Sequence, residues 1–201
     1  MCRYQGCTVT QDSVLSGLLE QISAFEVQDN DVIVASFPKS GTTWLQQVVY
    51  MLFNPEDISD EIMEWKFPYL EYVYPGLKEI ENRKGQKRLI KTHLPYKLLP
   101  ESAKNNKSKV IYIHRDAKDV IVSFYFFARM MTMLNYKGSL KDFAWQMMKD
   151  KVPYGPYFEH LDQYLSEADK RPEKVLAIKY EDMKQDPEKC IQEIAKFLQV
   201  F

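Results

Sequence analysis

Val32-Ile33-Val34-Ala35, then Phe37-Pro38-Lys39-Ser40-Gly41-Thr42-Thr43-Trp44, then an apolar stretch from Leu45 to Phe53 describe a strand that turns sharply and opens a helix. The first N–H groups of such a helix have no intrahelical partner and point into the turn, where anions bind. Gly41 lets another backbone or a ligand come close, Lys39 adds a movable positive charge, and Ser40, Thr42 and Thr43 offer hydroxyl donors. An ordinary strand-to-helix turn has the same outline, so the other strand ends must decide whether a site surrounds it. The lysine precedes the glycine and no second glycine lies upstream. This separates the segment from the nucleotide loop G-x-x-x-x-G-K-[ST] and removes any implication of Mg²⁺ held by a following hydroxyl.

Outward from this segment, Val14, Leu15, Leu18, Leu19 and Ile22 recur at helical spacing and predict a helix over 12–25. The Pro- and aromatic-rich stretch Asn54 to Gly76, with Trp65, Phe67, Tyr69, Tyr72 and Tyr74, reads as a long loop or as a cluster packed on the surface. Further strands are predicted at Arg88–Lys91, Lys109–Ile113 and Lys174–Ile178. Asp116 opens a helix running to Met131. Asp186-Pro187 opens another, with Ile191, Ile194, Ala195 and Leu198 on one face, and 139–150 and 156–168 complete the helices. Strands alternating with helices predict an α/β fold, a parallel central sheet flanked by helices. One domain is expected over 1–201, with 1–29 an N-terminal segment and helix and 30–201 the core. Ligands in such sheets bind outside the carboxyl ends of the strands. Lys39 to Trp44, Lys91 with His93, Arg115 and Tyr180 therefore converge on one edge, a set suited to an adenine nucleotide.

Bulk properties narrow the partners. The 201 residues are 45% hydrophobic and 27% charged with a net charge of −1, so any anion site is local and neither nucleic acid nor membrane is an expected partner. Three cysteines, Cys2, Cys7 and Cys190, suit a reducing compartment, and no zinc spacing occurs. The N-terminus lacks the apolar core of a signal peptide and position 2 is not glycine. The apolar run Val120 to Leu134 is broken by Ser123 and Arg129 and is too short to span a bilayer. A soluble cytoplasmic protein is the expectation.

His93 is the candidate general base, since an imidazole with a pKa near ~6.5 can accept a proton from a hydroxyl at neutral pH. A lone histidine is also commonly structural, and His114 and His160 are read that way. Lys91 can stabilise charge on a transferring group. Arg115 and Ser123 can hold a second phosphate, although an arginine at a helix start can equally pair with Asp116 or Asp119. Phe37, Tyr69, Tyr72, Phe126, Tyr154 and Tyr157 would serve as an aromatic-lined pocket or as core.

The segments Pro38-Lys39-Ser40-Gly41-Thr42-Thr43-Trp44, Lys91-Thr92-His93-Leu94-Pro95, Arg115 to Ser123 and Lys179-Tyr180-Glu181-Asp182-Met183 follow in that order. From about residue 30 onward the chain resembles the cytosolic sulfotransferases. The resemblance implies a P-loop-like sulfotransferase fold, with 3′-phosphoadenosine 5′-phosphosulfate (PAPS) as co-substrate and no metal. It implies that Lys39, Ser40, Gly41, Thr42 and Thr43 cradle the 5′-phosphosulfate and that Trp44 stacks on adenine. Arg115 and Ser123 would hold the 3′-phosphate and Tyr180 would contact the adenine. The catalytic set it implies is His93, Lys39, Lys91 and Ser123. His93 would deprotonate a phenol, alcohol, steroid or amine acceptor, Lys91 would steady the sulfuryl oxygens and Lys39 would neutralise the leaving phosphate. The family continues beyond the position of Phe201 with an Arg-Lys-Gly motif at the 3′-phosphate and a dimerisation motif. Beside it, this chain is expected to lack that C-terminal segment and to be monomeric, and a weakly active or silent nucleotide binder is the rival expectation. A P-loop kinase is a second rival, opposed by the loop order and by the lack of an evident Mg²⁺-binding acid after a strand.

Overall fold

The five residues Val32 to Ser36 are all buried, as expected of a strand covered on both faces. A computed structural model describes residues 1–72, 75–132 and 134–200, apart from the Asp12 side chain. Tyr74 and Phe201, named above, lie outside the described residues. In chain order the strands are β1 (Cys2–Tyr4), β2 (Cys7–Val9), β3 (Val32–Ser36), β4 (Leu89–Thr92), β5 (Lys109–His114) and β6 (Val175–Lys179). The helices are α1 (Gln11–Leu15), α2 (Leu18–Ala24), α3 (Thr42–Phe53), α4 (Met63–Lys66), α5 (Leu77–Asn82), α6 (Glu101–Asn105), α7 (Ala117–Met130), α8 (Leu140–Met148), α9 (Tyr157–Lys170), α10 (Tyr180–Gln185) and α11 (Pro187–Leu198).

Four strands form a parallel sheet in the order β4-β3-β5-β6, with Val34 opposite both Lys91 and Ile111. Alternation divides the core. Ile33, Ala35, Ile90, Val110, Tyr112 and Val175 face one side, against Leu18, Leu19 and Ile22 of α2, Ala103 of α6 and Tyr164 of α9. Val32, Val34, Ile111, Ile113 and Ile178 face the other, against Leu45 and Val49 of α3, Met183 of α10 and Ile194 and Leu198 of α11. A third cluster, Phe37, Val120, Phe124, Phe143, Met147 and Tyr157, joins α7 and α8 to the rest. The chain runs from β3 to β4 on one side and then crosses to β5 on the other, so the order reverses beside β3, the position at whose carboxyl side such sheets bind ligands.

Several sequence expectations shift. The helix expected over 12–25 is broken at Gly17, whose φ of 67° interrupts helical geometry. The stretch 54–76 is less loop-like than expected. It contains α4, and it pairs with the free edge of β4 through a parallel bridge between Tyr69 and Lys91. The antiparallel hairpin of β1 and β2 was not foreseen. It docks on residues 154–155, with Thr8 N donating to Gly155 O at 2.9 Å. The three cysteines are free thiols. Among the described residues, no helix is long and apolar enough to cross a membrane.

Candidate active site

Leaving β3, the chain passes through Lys39 (φ 70°) and Gly41 (φ 105°), both left-handed. A Cβ on Gly41 would lie 2.6 Å from Tyr180 Cδ2, so dihedral and packing both require glycine there. No side chain caps α3, which leaves its first N–H groups facing the turn. Thr42 Oγ1 is 2.5 Å from Ser36 Oγ, while the buried Ser40 Oγ has no hydrogen-bond partner among the described residues. Thr43 is exposed. Lys39 Nζ sits 4.3 Å from the centre of the Phe127 ring, and burial, then repulsion from Arg115, lowers its pKa.

The turn after β4 is held by side chains from three directions. His93 N donates to Glu71 Oε1 at 2.5 Å and Thr92 Oγ1 donates to Glu71 Oε2 at 2.8 Å. Leu94 N donates to Thr92 Oγ1 at 3.0 Å, and Tyr164 Oη donates to Leu94 O at 2.8 Å. His160 bridges Tyr112 Oη, 3.0 Å from its Nδ1, and His93 O, 3.0 Å from its Nε2. The carbonyl can only accept, so His160 carries its proton on Nε2. His160 is thus structural, as read from the sequence, and burial lowers its pKa to about 4.

The same reasoning assigns the proton on His93. Its Nδ1 is 2.7 Å from Ser36 O, so Nδ1 donates and Nε2 is the acceptor. The ring lies between Tyr69 and Tyr154, 5.2 and 5.4 Å between centroids. Burial, then the charge of Lys91, pushes its pKa well below the usual histidine range, which keeps the imidazole neutral at physiological pH. Lys91 Nζ lies 4.5 Å from the Tyr69 ring centre, and burial, partly offset by Glu71 and Glu64, lowers its pKa. Among the described residues neither Lys39 nor Lys91 has an ion-pair partner.

On the other flank, Tyr180 organises the end of β6. The Arg115 guanidinium is 4.4 Å from its ring centre, and Trp44 meets it edge to face at 5.8 Å. Arg115 does reach Asp119, at 3.4 Å, yet its Nε is buried with no hydrogen-bond partner among the described residues. Asp116 caps α7 by accepting from Lys118 N, and Asp116 N donates to Glu181 Oε1. Ser123 is half-buried in the middle of α7 and makes no side-chain hydrogen bond among the described residues.

The aromatic set divides. Tyr69 and Tyr154 flank His93, and Tyr72 stacks on Tyr69 at 4.1 Å. Phe37 and Tyr157 belong to the core, and Phe126 is 60% exposed. Sequence reasoning missed Glu71 and the contacts of His160, because no periodicity or motif marks a partner 22 or 67 residues away.

A family model described as the sulfotransferase domain matches residues 29–200. The chain belongs to this family. Sulfotransferase 4A1 of Homo sapiens is 40% identical over 187 residues, covering 92% of this chain and 65% of that relative. Mouse sulfotransferase SULT7A1, solved in complex with PAP, superposes with a TM-score of 0.82 at 30% identity, covering all of this chain and 68% of that one. Retinol dehydratase, solved with retinol and PAP, gives a TM-score of 0.82 at 26% identity, over 96% of this chain and 66% of that one. This chain therefore spans about two thirds of the length of these sulfotransferase relatives. The fold expected from the sequence, a parallel sheet flanked by helices in the sulfotransferase manner, is borne out.

Proposed function

We propose that this chain transfers sulfonate from PAPS to the oxygen or nitrogen of a small acceptor, with His93 as general base. The observation that carries this reading is His93 itself: a neutral imidazole with Nδ1 committed to Ser36 O, beside two lysines that have no carboxylate partner among the described residues. The residues present fit a nucleotide phosphosulfate. An uncapped helix start, Ser40 Oγ and Arg115 Nε are polar groups lacking a counterpart among the described residues. Lys39, Ser40, Gly41, Thr42 and Thr43 would receive the 5′ end. Arg115 and Ser123 would receive the 3′-phosphate, and Trp44 and Tyr180 the base.

When bound, PAPS supplies a sulfonate joined to a phosphate leaving group. His93 Nε2 takes the acceptor proton as the acceptor oxygen or nitrogen bonds to sulfur and the sulfur–oxygen bond to the 5′-phosphate breaks. Lys91 lies beside His93 to balance charge on the sulfuryl oxygens, and Lys39 to balance the departing phosphate. Two cations and a helix start suit a reaction that depends on positioning and charge. Relatives solved with PAP support the nucleotide, and one solved with retinol supports an apolar small-molecule acceptor.

The test is His93→Ala, assayed with labelled PAPS against a panel of phenols, alcohols and amines. Turnover should fall about 10²–10⁴-fold, the contribution of a general base, with PAP affinity nearly unchanged. A parallel loss of nucleotide affinity would refute the base assignment, and turnover with Mg²⁺/ATP in place of PAPS would refute the reaction.

A further inference from the structure

We propose that Glu71 is a positioning residue for His93, its carboxylate holding the Thr92–His93–Leu94 turn so that the imidazole presents Nε2 to the acceptor. This rests on the reading of His93 as the base. Pro68 to Glu71 run along the edge of β4, with Lys91 N donating to Pro68 O at 2.9 Å and Leu70 N donating to Lys91 O at 2.8 Å. That pairing carries Glu71 past the end of the strand and alongside the turn. One carboxylate oxygen accepts from His93 N and the other from the Thr92 hydroxyl, whose own oxygen accepts from Leu94 N. A single side chain thereby fixes three consecutive residues.

The choice of a carboxylate is itself informative. Glu71 is only 5% exposed and forms no ion pair among the described residues, so it bears a desolvation cost that an apolar residue would avoid. A glutamine of the same shape would not do the same job, because it presents one acceptor and one donor where the turn offers two donors. Ser36 O holds the ring of His93 while Glu71 holds its backbone, so the imidazole is anchored at both ends by different elements. Support of this kind, one step removed from the reacting atoms, keeps a catalytic group within the narrow tolerance its geometry demands.

Glu71→Gln and Thr92→Val separate this from a purely structural role. In the intact chain, NMR reads the His93 amide proton and ring nitrogens, calorimetry reads PAP affinity, and labelled PAPS gives kcat and KM. In Glu71→Gln the His93 amide resonance should move upfield and the fraction of Nδ1-protonated tautomer should fall. The value of kcat should drop about tenfold or more, with PAP affinity held within about twofold. Thr92→Val should lower kcat as well, and the double variant should lose no more than Glu71→Gln alone, since both sever one linkage. Unchanged kcat per folded molecule, or fully additive losses, would overturn the proposal. If the native chain transfers sulfonate to no acceptor, the reaction reading fails separately. The His93 amide and tautomer signals then decide whether Glu71 holds the turn.

Discussion

At the amino ends of β3 and β4 the buried charges are matched within the protein, whereas at the carboxyl ends two half-buried lysines are not, among the described residues. Asp31 and Arg88 sit almost fully buried against each other, with Arg88 Nε 2.9 Å from Asp31 Oδ1 and one terminal nitrogen 2.5 Å from Oδ2. Nearby, Lys174 Nζ donates to Asn106 O at 2.6 Å and Ser108 O at 3.1 Å. At the opposite end Lys39 and Lys91 face aromatic rings and, among the described residues, have no carboxylate in ion-pair range, while Ser40 Oγ and Arg115 Nε are buried without partners among those residues. The same residue types thus serve two purposes. A buried polar group satisfied within the protein secures the fold, and one left unsatisfied is available to a ligand.

Arg88→Ala tests the matched end and should have the largest effect. It strands a buried aspartate, so stability should fall by about 3–5 kcal/mol in urea unfolding. A loss below about 1 kcal/mol, the range of an exposed pair, would erase the contrast.

A smaller effect concerns Glu71, the carboxylate at the unmatched end that is committed to the turn rather than to a cation. Burial, partly offset by the His93 and Thr92 hydrogen bonds and by Lys91, raises its pKa to about 7. The folded state therefore binds its proton more tightly than the unfolded chain does. The associated stability is fully present below the ordinary value of 4.5 and is lost as pH rises through about 7. Relative to Glu71→Gln, the native protein should lose on the order of 2 kcal/mol between pH 5 and 8. Melting temperature against pH, taken as the difference between the two proteins, measures it. His93, His114 and His160, with lowered pKa values, push in the opposite direction and largely cancel in that difference. Lys91, Tyr69, Tyr72, Tyr154 and Cys7 also face Glu71 electrostatically and are present in both proteins. A flat difference would mean that Glu71 titrates normally.

Lys39→Met should have the smallest effect on the folded chain and a selective one on binding. With no carboxylate to strand, melting should hold steady or rise, while PAP affinity falls about tenfold, roughly one charge-assisted contact. Clear destabilisation would show that Lys39 serves the fold.

The parallel sheet was legible because four apolar runs carry strand character without help from neighbours, and the observed strands differ from those expected by one residue at most ends. The cap at Asp186 was legible for the same local reason, its side chain accepting from Lys189 N. The N-terminal hairpin was not, because strands of three residues are too short to display alternation. Gly17 splits a stretch whose apolar spacing alone predicts one helix. In the crevice, the strand-end residues could be placed on one edge from topology, but the hold on His93 could not. Glu71 and His160 act on backbone atoms, and a backbone atom leaves no trace in residue identity. Phe126 illustrates the converse, an aromatic residue whose helix position turns it outward.

The wedge of Tyr180 against Gly41 also bears on synthesis. The loop that follows β3 is made early, yet the ring that closes over it belongs to a residue that opens α10, after the fourth strand of the sheet. A chain emerging from the ribosome, growing by about 5–20 residues per second, carries Lys39 to Trp44 for many seconds before Tyr180 exists. The turn at Gly41 therefore stays unclosed by that ring until all four strands of the sheet have been made.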